Sequence, residues 1–224
     1  MTVQSVVTEK NLPSRNRAAQ SEFRKCQLIN STIDCIDRLG LSQTTLARIA
    51  KHAGVSQGIV VFHFQSKEAL LETSLRQISQ DYMECWKKAY ELAAPDPVSR
   101  LCALVKAPFT PAICNRKMIS VWYAFFGESR SRPLYMELCG RNDQAYSTEL
   151  QRQCREIAAK GDNTLKPETA ALSIECMIDG LWQNFLIGPP GFKRQEAIAA
   201  VFELMQLIYP DHRDDIAGQV KPGK

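Results

Sequence analysis

The sequence has few of the residues and motifs from which catalytic sites are commonly built. It contains only three histidines, His52, His63 and His212, so the long segment between the last two has none. The motifs G-x-x-x-x-G-K-[ST] and H-E-x-x-H are also absent, although each would indicate a known type of catalytic or phosphate site. Cysteine or carboxylate catalysis stays open, but no partner can be placed beside such a residue. A binding protein is therefore favoured over an all-α enzyme.

Long apolar segments are missing as well. Residues 170–188 come closest, but Glu175 and Asp179 interrupt them, so we expect no membrane span. The eight cysteines are scattered, without a C-x-x-C pair and without a histidine at ligand spacing. We therefore expect small buried thiols in a cytoplasmic protein, with no metal and no cofactor.

Strand-like alternation does not occur over a useful length, whereas helical spacing of apolar residues begins near residue 18. Glycines, prolines and capping residues divide the chain into about nine helices. The predicted fold class is all-α, with a flexible basic arm at 1–17 and a three-helix head at 18–66. A larger bundle at 67–209 and a flexible tail at 210–224 complete the prediction.

Positive charge is concentrated at one end of the chain. Residues 1–67 hold nine Lys or Arg and four acids, a net charge of +5, whereas the remaining chain carries −1 of the total of +4. Such a concentration suggests a polyanionic partner. A basic segment that only aids solubility would give the same count, so charge alone does not decide.

Residues 44–63 have the spacing of a helix-turn-helix. Ala50 is small where two helices must approach, and Gly54 can adopt the positive φ of the turn. Val60 would fill the angle between the helices, and Ser56 is placed to cap the second one. These offsets predict two short helices crossing steeply, an arrangement that inserts its second helix into the DNA major groove.

Two segments carry a resemblance to a known family. Residues 54–58, GVSQG, and 63–71, HFQSKEALL, resemble the signature of tetracycline-repressor-type (TetR family) regulators over about residues 24–71. Residues 122–126, 133–135 and 178–182 are similar to its BetI-type branch, whose namesake represses glycine-betaine synthesis genes and responds to choline. The resemblance implies a dimeric repressor on a palindromic operator, released by a small-molecule effector. An activator with the same head is the alternative.

The resemblance also implies which residues face DNA. Gln57 is suited to pair with adenine, and Ile59 or Val61 to contact a thymine methyl. The threonines before the first short helix, His63 and Lys67 would contact phosphates. The complete set is Thr44, Thr45, Arg48, Gln57, Gly58, Ile59, Val61, Phe62, His63 and Lys67.

Two departures from the family pattern matter. Ala47 stands where many relatives have arginine, and Val61 and Phe62 stand where many have two tyrosines. We therefore expect unusually apolar base contacts and fewer phosphate contacts, a loss for which Arg48, Lys51 or the basic arm with Arg15 and Arg17 is placed to compensate. The alternative for Arg48 and Lys51 is that they lie on a solvent-exposed face and contact no phosphate.

The bundle is predicted to hold the effector. Aromatic rings beside an acid suit a quaternary ammonium, because ring faces attract cations. Two alternatives to a cation site are open: these rings could form an ordinary aromatic core, or they could line a cavity for a neutral apolar effector. The predicted effector residues are Trp122, Phe125, Phe126, Tyr146, Asp179 and Trp182, with Tyr123 and Glu128 nearby.

The last two long helices are expected to form the dimer interface, since the resemblance implies a four-helix contact between protomers. On periodicity alone their apolar residues are equally plausible as internal core. A dimer would place two heads about 34–36 Å apart on a palindrome. The apolar residues concerned are Ile174, Ile178, Leu181, Phe185, Ile198, Val201, Met205 and Ile208.

Overall fold

The computed structural model of the chain describes residues 14–127, 132–161, 163–188 and 191–219, and these ranges contain helices and no strand. The predicted all-α class is confirmed, with one helix more than expected. The helices are α1 Ser14–Gln43, α2 Leu46–Ala53, α3 Gln57–Phe64, α4 Lys67–Leu92, α5 Pro97–Lys106, α6 Arg116–Gly127, α7 Arg132–Ala158, α8 Pro167–Ile187, α9 Arg194–Ile208 and α10 Arg213–Gly218.

The chain divides into two compact units, residues 1–74 and 75–224. The division falls inside α4, eight residues beyond the boundary predicted at residue 66. Residues 14–17, predicted as part of the arm, already belong to α1. The rest of the arm, residues 1–13, lies outside the described residues.

The first unit follows the predicted breaks. Gly40 interrupts α1 at a φ of 76°, and Gly54 ends α2 in the left-handed region with φ 68° and ψ 31°. A side chain would be strained at either backbone conformation, which explains both glycines. Thr45 caps α2 by accepting the Arg48 N–H at 3.3 Å. Ser66 caps α4 by accepting the Ala69 N–H at 3.0 Å.

One predicted cap in this unit is wrong. The Ser56 hydroxyl makes no capping hydrogen bond at the start of α3. Instead the N–H of Ile59 donates to the backbone carbonyl of Ser56 at 3.1 Å, so the donor is satisfied without the side chain. Val60 and Ile49 are both completely buried, which agrees with the prediction that Val60 fills the angle between α2 and α3.

The second unit has one continuous apolar core shared by its helices. Leu101, Leu104, Leu150 and Phe202 are completely buried there. Five of the eight free cysteines are buried, as expected, whereas Cys26 and Cys176 are exposed and Cys85 is half-buried. None of the described helices is both long and apolar enough to cross a membrane.

The predicted dimer residues turn out to lie mostly inside this core. Five of the eight, Ile174, Ile178, Val201, Met205 and Ile208, are at most 4% exposed within a single protomer. The structure therefore corrects their assignment to a dimer surface and supports the alternative of internal core. The outward face of α8 carries other residues, which repeat every three or four positions and are Leu172, Cys176, Gly180, Gln183 and Ile187.

Residues 210–219 differ from the predicted flexible tail, and residues 220–224 lie outside the described residues. Pro210–His212 forms a 3-10 turn and leads into α10, whose Ile216 is completely buried in the core of the second unit. The Gln219 amide donates to the Ser99 hydroxyl at 3.2 Å. The buried Ile216 helps to anchor this largely polar segment, because burying an isoleucine is worth about 1.5–3 kcal/mol.

Candidate DNA interface and ligand cavity

Helix α3 has one buried and one exposed side. Val60 and Phe64, one turn apart, pack into the head and are 0% and 8% exposed. The residues predicted to contact bases are all exposed to solvent, as is Phe62. The predicted residues are Gln57, Gly58, Ile59 and Val61.

The predicted phosphate contacts divide into three groups. Thr45, at the start of α2, and Arg48, in the first turn of α2, are both exposed. The Arg48 guanidinium donates to the Gln43 carbonyl at 2.6 Å. His63 is half-buried, with its ring edge against Phe62. Lys67 is also half-buried, and its ammonium donates to the Leu41 carbonyl at 3.2 Å. Lys67 therefore has a structural partner in the head in addition to any phosphate.

The prediction for Thr44 is corrected. Its side chain is completely buried, and its hydroxyl donates to the Gly40 carbonyl at 2.8 Å. The hydroxyl thus stabilises the chain reversal that follows the break in α1. A buried group with its donor already used does not reach a phosphate, whereas Thr45, one residue later, stays accessible.

The second unit contains a cavity of about 360 Å³. This volume lies within the range of small-molecule sites. Helices α4, α6, α7 and α8 contribute its walls, which combine aromatic rings with three carboxylates. The lining residues are Tyr82, Trp122, Tyr123, Phe126, Tyr135, Met136, Asp143, Tyr146, Glu175, Ile178, Asp179 and Trp182.

The rings of this cavity form a connected set fixed by hydrogen bonds. Trp122 lies 5.9 Å from Tyr82 and 6.4 Å from Trp182, measured between ring centroids. The Trp182 indole donates to the Pro108 carbonyl at 3.1 Å, and the Tyr146 hydroxyl donates to the Leu104 carbonyl at 3.1 Å. Because their polar atoms are engaged in the core, these side chains present mainly their apolar parts to the cavity.

The carboxylates of the cavity repel one another. The Tyr135 hydroxyl donates to Asp143 at 3.0 Å, and the Ser147 hydroxyl donates to Glu175 at 3.0 Å. Although part of Asp179 is exposed, desolvation of its carboxyl and then the charges of Glu175 and Asp143 raise its pKa to about 6. Burial also raises the pKa of Asp143, against the lowering effect of the Tyr135 hydrogen bond. The cavity thus concentrates negative charge among apolar walls.

Five of the six predicted effector residues line this cavity, and Phe125 does not. Phe125 is completely buried, while the adjacent Phe126 is 51% exposed at the cavity. Neighbouring positions on a helix point about 100° apart, which allows Phe126 to reach the cavity while Phe125 stays buried outside its lining. Glu128 lies outside the described residues.

Sequence analysis missed Tyr82, Tyr135, Asp143 and Glu175 as parts of this site. Helical spacing was the available signal, since residues three or four apart share a face. Glu175 lies four residues before the predicted Asp179, and Asp143 lies three residues before the predicted Tyr146.

Comparison with known families gives two matches. The family model described as bacterial regulatory proteins, tetR family, matches residues 28–73. The model described as BetI-type transcriptional repressor, C-terminal, matches residues 97–208. The first match covers the helix-turn-helix, and the second covers nearly all of the cavity.

Relatives over most of the chain agree with these matches. HTH-type transcriptional regulator BetI 2 of Chromohalobacter salexigens is 31% identical over 81% of this chain and 86% of its own length. HTH-type transcriptional regulator BetI of Burkholderia cenocepacia is 34% identical over 78% of this chain and 88% of its own length.

Solved structures share the fold. A putative transcriptional regulator from Pseudomonas aeruginosa PAO1 aligns with a TM-score of 0.72 at 22% identity, covering 94% of this chain and 98% of its own. A putative transcriptional regulator from Saccharomonospora viridis, solved in complex with choline, aligns with a TM-score of 0.71 at 21% identity over 83% and 96% of the two chains. The chain belongs to the TetR family of DNA-binding transcriptional regulators and carries a C-terminal domain of the BetI repressor type.

Proposed function

We propose that this regulator represses transcription as a dimer on a palindromic operator in the cytoplasm, and that an organic cation of the quaternary ammonium type releases it. One observation carries the proposal for the effector. Three carboxylates and seven aromatic side chains line one cavity, and its described lining includes no Lys, Arg or His.

The charge of the cavity favours a cation over a neutral apolar effector. The hydrogen-bond donors to Asp143 and Glu175 are neutral hydroxyls, which leave the negative charge uncompensated. Among the described residues the carboxylates do not form a group that could hold a metal ion. An organic cation would balance the charge and lower the mutual repulsion.

The aromatic walls favour a cation without N–H groups. A quaternary ammonium donates no classical hydrogen bond and is attracted by ring faces, as in aromatic cages. The choline complex of the Saccharomonospora viridis regulator supports the same ligand class, because that protein shares the fold. The proposed first contacts are Trp122, Tyr135 and Trp182, with Asp179 as the nearest source of negative charge.

The response requires that the effector bind the DNA-free form more tightly than the DNA-bound form. Helix α4 is the proposed carrier of this coupling. It begins at Lys67, in the head, and contributes Tyr82 to the cavity four turns later along the same helix. A typical coupling of about 1–3 kcal/mol would weaken operator binding roughly 5- to 150-fold.

The test compares choline with 3,3-dimethylbutan-1-ol, its neutral carbon isostere. Calorimetry on the dimer should give binding at least about tenfold weaker for the isostere, because shape is kept and charge is removed. Fluorescence anisotropy on an operator selected from random DNA should then show release by choline alone. Trp122→Ala should keep operator binding and lose the response. Equal binding of the two compounds, or no effect of choline on operator affinity, would overturn the proposal.

The DNA side has its own test at Gln57. Its exposed amide at the start of α3 is suited to a bidentate contact with adenine. Gln57→Ala should cost about 1–3 kcal/mol on the selected operator and relax the preference at one base pair per half-site. If wild-type protein and Gln57→Ala selected the same DNA sequence from random DNA, this role of Gln57 would be contradicted.

A further inference from the structure

Phe62 is the most exposed large apolar side chain among the described residues, at 80%. It lies on α3 two residues after the fully buried Val60, which places it on the opposite side of the helix. The head therefore gains almost nothing from the Phe62 ring. An aromatic ring left in water on a DNA-reading helix indicates a contact made outside the protomer.

The surroundings of Phe62 leave its ring free to project. Gly58, one turn earlier on the same face, has no side chain. Val61 and Ile59 flank this line at 41% and 36% exposure. The ring of His63 meets that of Phe62 edge-on, with centroids 5.1 Å apart and planes at 84°, which restricts the phenyl orientation. Phe62 is thus the outermost point of the exposed face of α3.

The chemistry of a phenyl ring limits what it recognises on DNA. Phenylalanine has no hydrogen-bonding group, so it cannot hold a phosphate or pair with a polar base edge. The apolar group that base pairs present in the major groove is the thymine 5-methyl. Burying the ring against that methyl removes apolar surface of both molecules from water.

We propose that Phe62 is a specificity-determining residue that contacts a thymine methyl and so selects a T·A pair in each half-site of the operator. The inference rests on the assignment of α3 as the DNA-reading helix and goes beyond it by naming the chemical group recognised. Contact of the ring with deoxyribose alone is the competing arrangement, and it would give affinity without sequence preference.

The experiment removes the methyl from the DNA and the ring from the protein separately. An operator is first selected from random DNA with the full-length wild-type protein. Each thymine of a half-site is then replaced by deoxyuridine, which lacks only the methyl. At one thymine per half-site the wild-type protein should bind about fourfold more weakly, the value for one buried methyl-sized group. For Phe62→Ala that difference should vanish at this thymine.

Two controls make the result specific. Val61→Ala, the matched apolar truncation on the same helix, should retain the deoxyuridine effect at the Phe62 thymine. A 5-methylcytosine·guanine pair at that position should bind wild-type protein more tightly than an unmethylated pair, because the methyl returns without the thymine. Circular dichroism should show Phe62→Ala fully folded, as its exposure in the head requires.

The outcomes separate the inference from the assignment on which it rests. If Phe62→Ala weakens binding but every deoxyuridine effect persists, the ring does not read a methyl and the inference is overturned. If Phe62→Ala and Gln57→Ala both bind the operator as wild type does, α3 is not the DNA-reading helix and the assignment itself fails.

Discussion

Tyr135 and Asp143 lie two turns apart on α7, and the phenol hydroxyl donates a 3.0 Å hydrogen bond to the Asp143 carboxylate. Both residues line the cavity. Burial and the charge of Glu175 raise the pKa of Asp143, whereas the bond from Tyr135 lowers it. The phenol thus helps to keep a half-buried carboxylate ionised.

Tyr135→Phe should therefore weaken choline binding and destabilise the fold together. Loss of the donor should lower the free energy of unfolding by about 1 kcal/mol, measured in urea at pH 7. Tyr123→Phe is the matched control, because its hydroxyl donates to the backbone carbonyl of Asp179 rather than to a carboxylate. A larger loss of choline affinity in the control would contradict this role of Tyr135.

Choline binding should depend on pH through Asp179. Its pKa is raised to about 6 by burial and by the charges of Glu175 and Asp143. A cation favours the ionised carboxyl, so choline affinity should increase from pH 5 to pH 7, and binding near pH 6 should release protons. Calorimetry in buffers of different ionisation enthalpy measures both effects. Asp179→Asn should flatten the profile, and a wild-type affinity independent of pH between 5 and 8 would refute the assignment.

The head offers a pair of neighbouring valines with opposite environments. Val60 is completely buried between the helices, and Val61 is 41% exposed. Val60→Asp should unfold the head, because an unpaired charge would be buried. Val61→Asp should keep the fold and lose operator binding, since it adds a negative charge to the DNA-reading face. Two-dimensional NMR of both variants shows whether the head is folded. An intact head in Val60→Asp would show that Val60 does not fill the angle between the helices.

Dimerisation should depend on the outward face of α8 rather than on its buried stripe. Leu172 is 60% exposed in the protomer, whereas Val201 on α9 is completely buried. Leu172→Glu should give a folded monomer, because a charge enters an apolar contact between copies. Val201→Glu should instead unfold the second unit. Light scattering and circular dichroism separate the two results, and a Leu172→Glu dimer of wild-type stability would exclude this face.

Features formed by one short segment of the chain could be predicted from the sequence, whereas features formed by several helices could be predicted only in part. Gly54 and Val60 belong to one short segment whose offsets dictate its geometry, and the structure agrees with both. The cavity draws on four helices, so Asp143 could be found only through the helical spacing from Tyr146. For α8 and α9, periodicity identified an apolar stripe but not whether the same protomer covers it, and this placed Ile178 and Val201 on the wrong surface.

The hydrogen bond between Ser99 and Gln219 joins residues 120 positions apart, next to the buried Ile216 of α10. During synthesis, Ser99 and the rest of α5 leave the ribosome long before the segment that covers them. The first unit, residues 1–74, has its own buried apolar residues and can fold before α10 has been synthesised. A nascent chain would therefore complete the unit that contains the helix-turn-helix before the unit that contains the cavity.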